Sequence, residues 1–424
     1  MKKSLIALLF SAFTLVTFSG CGTQETHAGG LNITSSNTNI NNTNISNTNV
    51  SNELTIASLR HDPLLEDAIR RFEALHDDRY TIELVVYDDF TSYSQIITTA
   101  IMSGRGEDII SASHLTWQRL ADVNMLLDLN NKMSFEPGIY YQSVLDAFIY
   151  NGGRYVLPLG FRIDAFRLNN VSAIDMQNRR YFTLDDMIAL AHAYPDECFI
   201  HSPMGINETT IAHRFFELNF DEFIDLPNRT ANVDSEKFIN LLTDVQSIGD
   251  RLVSSDWTRI PLIQETMLHN IVMHVDGIED YSDFHLMTNA RGEGVARSNM
   301  LMAINASTQN PELATRFMQF LISEEVQSSP EMFATPVNRN AAQIVSRGTL
   351  EGSIALGFVP EGIDFDTNLA VFNAFADRLT RIGISDLFIS DFVIAEMNRF
   401  FNGEVTAQQA ASNLQARLTT YLNE

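Results

Sequence analysis

Few side chains in this sequence are spaced for covalent or metal chemistry. Cysteine occurs twice in 424 residues, as Cys21 and Cys198. His114 and His274 have neither a histidine at i+4 nor a nearby cysteine, so no metal site is expected. Asp88 and Asp89 are both acids, as a glycosidase requires, but neighbours on an extended segment point to opposite sides. G-x-S-x-G, H-E-x-x-H, P-loop and G-x-G-x-x-G patterns are absent. The glycines of "GRGED" and "RGEGVAR" do not join a strand to a helix as a phosphate cradle does. Neither an enzyme nor a cofactor is expected. The residue whose surroundings speak most clearly is Cys21.

Cys21 closes a leader. Lys2 and Lys3 supply positive charge, Leu5 to Phe18 form an almost unbroken apolar run, and Ser19-Gly20 are small. That layout is a secretory signal peptide over residues 1–20, too short to span a membrane as a helix. "FSGC" resembles a bacterial lipobox, whose cysteine is acylated and becomes the first mature residue. Phe18 stands where leucine is usual. The alternative is a plain signal peptide with an incidental cysteine. Two or more acyl chains, at about 0.8 kcal/mol per buried CH₂, make a lasting anchor. The expected location is the outer face of the bacterial cytoplasmic membrane, with the bilayer as a partner through Cys21.

Residues 22–52 hold no Lys, Arg, Pro or aromatic residue, and Thr-Asn-Ile/Val recurs at Thr38, Thr43 and Thr48. So little apolar surface cannot offset chain entropy, and the segment reads as a disordered tether. A small β-repeat through Ile40, Ile45 and Val50 is the competing reading, weakened by asparagine's poor strand propensity. Without the leader the chain carries 26 basic against 53 acidic residues, a net charge of −27. Nucleic acid is a poor partner for such a surface. Cys198 is then without a disulfide partner, so stability must come from the core.

The body reads as strands alternating with helices. "ELTIAS" (53–58), "TIELVVY" (81–87) and "EDIISAS" (107–113) are short strands. The first is followed by a helix with Asp62 as cap, Pro63 in its first turn and Leu65, Ala68, Ile69, Phe72 and Leu75 on one face. A second helix ends at Gly104, and "TWQRLADVNML" makes a third. This order predicts a parallel sheet with right-handed crossovers. Further strands are expected at 153–158, 270–277 and 299–306. Further helices start at Thr183, at Asn310-Pro311 and at Thr406, the last with a capping box.

At this level the body resembles the extracellular solute-binding proteins of ABC importers, in their carbohydrate-type branch. The pieces that carry the likeness are "LTIASLRHDPLLEDAIRRFEALH", "TTAIMSGRGEDIIS", "LADVNMLLDLN", "GGRYVLPLGF", "MAINASTQNPELATRFMQFLISEEVQ", "TPVNRNA" and "MNRFFNGEVTAQQAASNLQARLTTYLNE". Departures are Arg154, where lysine is usual, and the loop "LGFRIDAFRLNN". The resemblance implies an α/β, two-lobed periplasmic-binding-protein-like fold with a hinge and an interlobe ligand cleft. Lobe 1 would combine 53–160 with 277–325, and lobe 2 would combine 161–276 with 326–424.

In such a fold, ligand contacts lie after the strands that face the cleft. The candidates are Arg60, His61, Asp88, Ser113, His114, Trp117, Phe161, Arg162, Trp257, His274 and Asp276. Sugars need aromatic faces for their C–H surfaces and charged or amide groups for their hydroxyls. Trp117 is the leading stacking face or, alternatively, a core residue of its helix. Trp257 either lines the second lobe or packs on the surface. Asp62 reads as a cap before a contact, and Asp88 with Asp89 as solvated loop acids.

The implied function is a lipid-anchored monomer that passes a small solute, a sugar or oligosaccharide, to an ABC permease. A sensor presenting its liganded form to a membrane receptor uses the same features. An anchored hydrolase is the third reading.

Overall fold

The computed structural model describes residues 52–168, 179–194, 200–201, 206–252, 262–268, 284–298, 300–357 and 361–424. They belong to one compact unit, Val50–Glu424. Cys21, the segment 22–51, Cys198, Trp257, His274 and Asp276 lie outside the described residues, as does the strand expected at 270–277.

The first sheet runs Thr81–Tyr87, Glu53–Leu59, Ile109–Ser111, Leu301–Ile304, Leu157–Pro158. The first three strands are parallel, as the strand–helix alternation predicts. The returning strand Leu301–Ile304 is antiparallel to both of its neighbours, which corrects the expectation of a purely parallel sheet. A strand buried on both faces reads as one apolar run in either direction, so its sequence does not encode its polarity. Helix Pro63–Leu75 begins as expected. Asp62 accepts from the Leu64 and Leu65 amides at 3.0 and 3.3 Å, Pro63 opens the first turn, and Leu65, Ala68, Ile69 and Phe72 enter the core. Leu75 is instead exposed at the last turn.

The second sheet runs Tyr181–Phe182, Phe284–Met287, Ile163–Leu168, Ile263–Leu268, Ile200–His201. Helices Leu184–Ala193, Glu208–Leu218, Glu236–Ser247, Leu387–Phe401 and Ala407–Asn423 surround its core, where the rings of Phe216 and Phe223 stack at 4.8 Å. Thr183 and Thr406 each cap their helix reciprocally with the residue three positions on.

The division between halves differs from the expected lobe boundaries. Helices Arg339–Ala355 and Phe365–Ala376, expected in lobe 2, pack on residues 140–143 of the first half. Tyr141 Oη donates to Asn373 at 3.0 Å, Ser143 Oγ donates to the Ala376 carbonyl at 2.7 Å, and Arg339 Nε donates to the Tyr140 carbonyl at 3.1 Å. Strand Phe284–Met287, expected in lobe 1, belongs to the second sheet. Amphipathic helices show which face is buried but not against which sheet.

Three segments connect the halves side by side, around 160–166, 294–300 and 379–386. Arg162 N donates to the Arg297 carbonyl at 2.9 Å, and Gly294–Ala296 pairs in parallel with Leu379–Ile382. Gly383 fits this junction because a Cβ there would lie 2.9 Å from Glu217 Oε1. Among the described residues no helix is long and apolar enough to cross a membrane, and no cluster of three His, Cys, Asp or Glu could hold a metal.

Candidate functional site

A cleft opens above these connecting segments in three communicating chambers. The smallest, about 150 Å³, is lined by Ser113, Trp117, Arg162, Glu217, Arg297 and Ser385 among others. It shares Trp117, Ile382, Gly383 and Ser385 with a middle chamber of about 410 Å³. There Trp117, Tyr150 and Asn151 of the first half face Phe220, Asp221, Asp225 and Leu226 of the second. A third chamber of about 480 Å³ adds Arg119, Arg229, Phe388 and Tyr421. The two larger chambers each have the size of a small-molecule site.

Contacts across the cleft tie the walls together at a few points. Ser385 Oγ donates to Gln118 Oε1 at 2.7 Å, and Arg119 donates to the Tyr421 carbonyl at 2.9 Å while lying 4.1 Å over its ring. The Tyr421 hydroxyl donates to Asp386, which also caps helix Leu387–Phe401 through the Phe388 and Ile389 amides. Trp117 and Tyr150 meet edge to face at 5.9 Å. Burial, and then the Asp122 carboxylate, pushes the Tyr150 hydroxyl well above its ordinary value, so it remains a neutral donor.

The floor is a buried charge cluster. Arg297 binds Asp164 through Nε and holds Glu217 with two N–H groups, at 3.1 and 2.6 Å. Arg214 reaches Asp164 at 3.3 Å, and the Ile384 amide donates to Glu217 at 3.1 Å. Burial favours protonation of Glu217. Arg297, His213 and the Ile384 amide outweigh it and hold the carboxyl at about 2. Burial pulls Arg162 below its ordinary value against the attraction of Asp164, with Arg297 and Arg214 adding repulsion. The cluster joins one connecting segment to another, because Asp164 lies in the first crossing and Arg297 in the second.

No protein-family model matches the sequence, and no curated protein does. Solved structures do match. Extracellular solute-binding protein family 1 from Alicyclobacillus acidocaldarius is 14% identical, with 88% of this chain and 98% of that chain covered and a TM-score of 0.56. The sugar-binding protein MalE of Xanthomonas citri is 14% identical over 88% and 97% of the two chains, with a TM-score of 0.61. An ABC substrate-binding protein of Listeria monocytogenes, in complex with cycloalternan, is 16% identical over 88% and 99%, at 0.54. The chain has the extracellular solute-binding protein fold. A de novo designed esterase shares it at 15% identity over 87% and 98% and a TM-score of 0.54, so the fold alone does not exclude catalysis.

Within the solute-binding fold, the residues expected at the ligand separate into groups. Ser113, Trp117 and Arg162 come together around the smallest chamber. Trp117 is 1% exposed and part of the first core, as its core reading expects, and it borders two of the chambers. Phe161 is fully buried between Tyr141 and Phe372 and lines none of the three. Arg60, His61 and Asp88 are exposed at the same edge of the first sheet but outside the chambers, with His61 paired to Glu66. His114 is half-buried, and burial followed by the charge of Arg60 lowers its proton affinity.

Glu217, Arg297, Tyr150, Phe220 and Asp386 escaped the sequence reading. Glu217 in "RFFELNF" looks like an acid on a solvated helix face, and Arg297 in "GEGVARS" looks like a loop residue. The only local signal is at "GVARSN", where a short β-rich run leads into another strand without a helix between them.

Proposed function

We propose that this protein is an extracytoplasmic solute-binding protein that captures a sugar or oligosaccharide between its halves and delivers it to an ABC permease. The observation that carries the reading is the lining of the cleft. Tyr150, Phe220 and Tyr421 offer ring surface, and Gln118, Asn151 and Asp225 offer polar groups, the combination a polyhydroxylated ring requires. Solved neighbours of this fold include proteins in complex with cycloalternan and maltotetraose and one bound to maltotriose, which supports the same class. The sequence "FSGC" supports an acyl anchor on Cys21 at the outer face of the bacterial cytoplasmic membrane. The proposed cycle is binding and release without turnover.

A thermal-shift screen over mono- and oligosaccharides tests this reading. At 100 Kd the right ligand stabilises by about 2.7 kcal/mol and is recovered unchanged. A screen in which no saccharide raises the melting temperature ends the sugar reading, and product formation would make the protein a hydrolase. The anchor is tested separately: Cys21→Ala should leave no acylated, processed form in the membrane fraction.

A further inference from the structure

The third chamber presents exposed apolar side chains on both of its walls. Met102 ends helix Phe90–Met102 and Val123 follows helix Trp117–Asp122, both in the first half, while Phe388 lies in the first turn of helix Leu387–Phe401 in the second. All three line the chamber, and they are 52, 43 and 59% exposed. Ile149, also exposed, lines the middle chamber. Of the eleven large apolar side chains left exposed among the described residues, four therefore gather at one cleft. Scattered singly, such residues are ordinary. Gathered on facing walls of a concavity, they mark a place where apolar matter binds.

Much of the polar lining of this chamber is already engaged. Asp122 accepts from Tyr150 Oη at 3.1 Å and from Asn151 Nδ2 at 3.3 Å. Asp386 accepts from the Tyr421 hydroxyl and from two amides of its own helix, and Arg119 is held by the Tyr421 carbonyl and ring. Thr98, Thr116, Arg229 and Glu424 also border the space and keep its mouth wet. A further sugar ring placed here would set hydroxyls against Met102, Val123 and Leu226, which offer neither a hydrogen bond nor an aromatic face. Hydroxyls so placed lose their water partners without replacement, whereas an alkyl or aryl group loses none and takes the same side chains out of water. The third and middle chambers share Gln118, Tyr150, Leu226 and Asp386, so a substituent on a ring in one reaches the other. At about 480 Å³ the third chamber has room for a butyl to octyl chain or a phenyl ring. Those groups displace the volume of roughly four to eight waters at about 30 Å³ each.

We infer that the solute is a glycoside whose sugar ring occupies the middle chamber and whose apolar aglycone, alkyl or aryl, lies in the third chamber against Met102, Val123 and Phe388. This rests on the reading of the cleft as a saccharide site.

The test is calorimetric titration of the whole protein, below micelle-forming concentrations. The probes are glucose, galactose and mannose, their methyl, butyl, hexyl, octyl and phenyl glycosides, the disaccharides maltose, cellobiose and lactose, and octanol. For at least one sugar, affinity should rise along the alkyl series by up to about fourfold per CH₂, the equivalent of about 0.8 kcal/mol, and level off once the chamber is full. The octyl or the phenyl form should bind about tenfold or more tightly than the methyl form, with a more negative heat-capacity change, and the two series distinguish alkyl from aryl. Phe388→Ser and Met102→Gln, at exposed positions, should each cut that advantage about threefold or more, and together about tenfold. The methyl glycoside should change about twofold at most, with melting temperature confirming the fold. Equal affinity for methyl, octyl and phenyl forms overturns the inference and leaves the saccharide reading intact. So does a disaccharide that outbinds every octyl and phenyl glycoside, or an advantage that survives the double variant. Octanol binding as tightly as every octyl glycoside, or binding of no saccharide or glycoside at all, overturns both.

Discussion

One edge of the first sheet carries two sets of polar residues with opposite fates. Arg60, His61 and Asp88 follow the strands Glu53–Leu59 and Thr81–Tyr87 and remain exposed. Ser113 and Trp117 follow Ile109–Ser111 and reach the cleft floor. Strand order accounts for the difference. Ile109–Ser111 borders Leu301–Ile304, the strand entered directly from a connecting segment, whereas the other two strands lie farther from that junction. The end of a strand becomes part of the site only if the strand lies next to the crossing. The rim stays solvated, and the floor acquires buried charge that must be internally paired.

That contrast is broken most severely at Arg297. Arg297→Met leaves Glu217 without its guanidinium and Asp164 with Arg214 alone, so unfolding in urea should show a loss of about 3–5 kcal/mol. At the rim, removing the exposed partner of His61 with Glu66→Ala should cost under about 0.5 kcal/mol. A loss below about 1 kcal/mol for Arg297→Met would mean that water already reaches the floor.

Acid should sharpen the same contrast. The Glu217 carboxyl lies at about 2 in the folded chain, below the ordinary value of 4.5. Its contribution is therefore fully present above about pH 4.5 and is lost as pH falls towards 2. The shift corresponds to about 3 kcal/mol. Other carboxylates titrate in this window, so the measurement is the difference between the wild-type protein and Arg297→Met in urea unfolding at pH 7, 4.5 and 3. The gap should narrow as pH falls. A gap that stays constant to pH 3 would show that the Arg297 and Glu217 charges are not coupled.

What the sequence disclosed and what it hid follow the same division. Asp62 with Pro63, Thr183, and Thr406 with Gln409 set helix starts through local bonds, and the structure places those starts where the residues put them. The strands at Glu53–Leu59 and Thr81–Tyr87 are legible for the same reason. The polarity of Leu301–Ile304, the attachment of helix Phe365–Ala376 to the first half, and the Glu217–Arg297 pair depend on residues 80 or more positions apart. No local pattern reports such contacts. Trp117 was legible as a residue of interest by its type and position, while its unpartnered N–H required the structure.

The smallest effect is expected at Arg60, and it tests whether the rim is separate from the site. Arg60 takes a left-handed backbone conformation with φ of 68°, which disfavours any side chain and suits glycine. Its amide donates to the Tyr87 carbonyl at 2.8 Å, so the turn is held by backbone bonds that glycine would keep. Arg60→Gly relieves the strain but gives the unfolded chain more freedom, and the two effects nearly cancel. The expected change in urea stability is within about 0.5 kcal/mol of zero, leaning towards gain. Saccharide affinity should stay within about twofold, because the side chain lies outside the three chambers. A tenfold loss of affinity with unchanged stability would place Arg60 on the ligand. The rim and the floor would then act as one surface when the halves close, and strand order would no longer decide which residues bind.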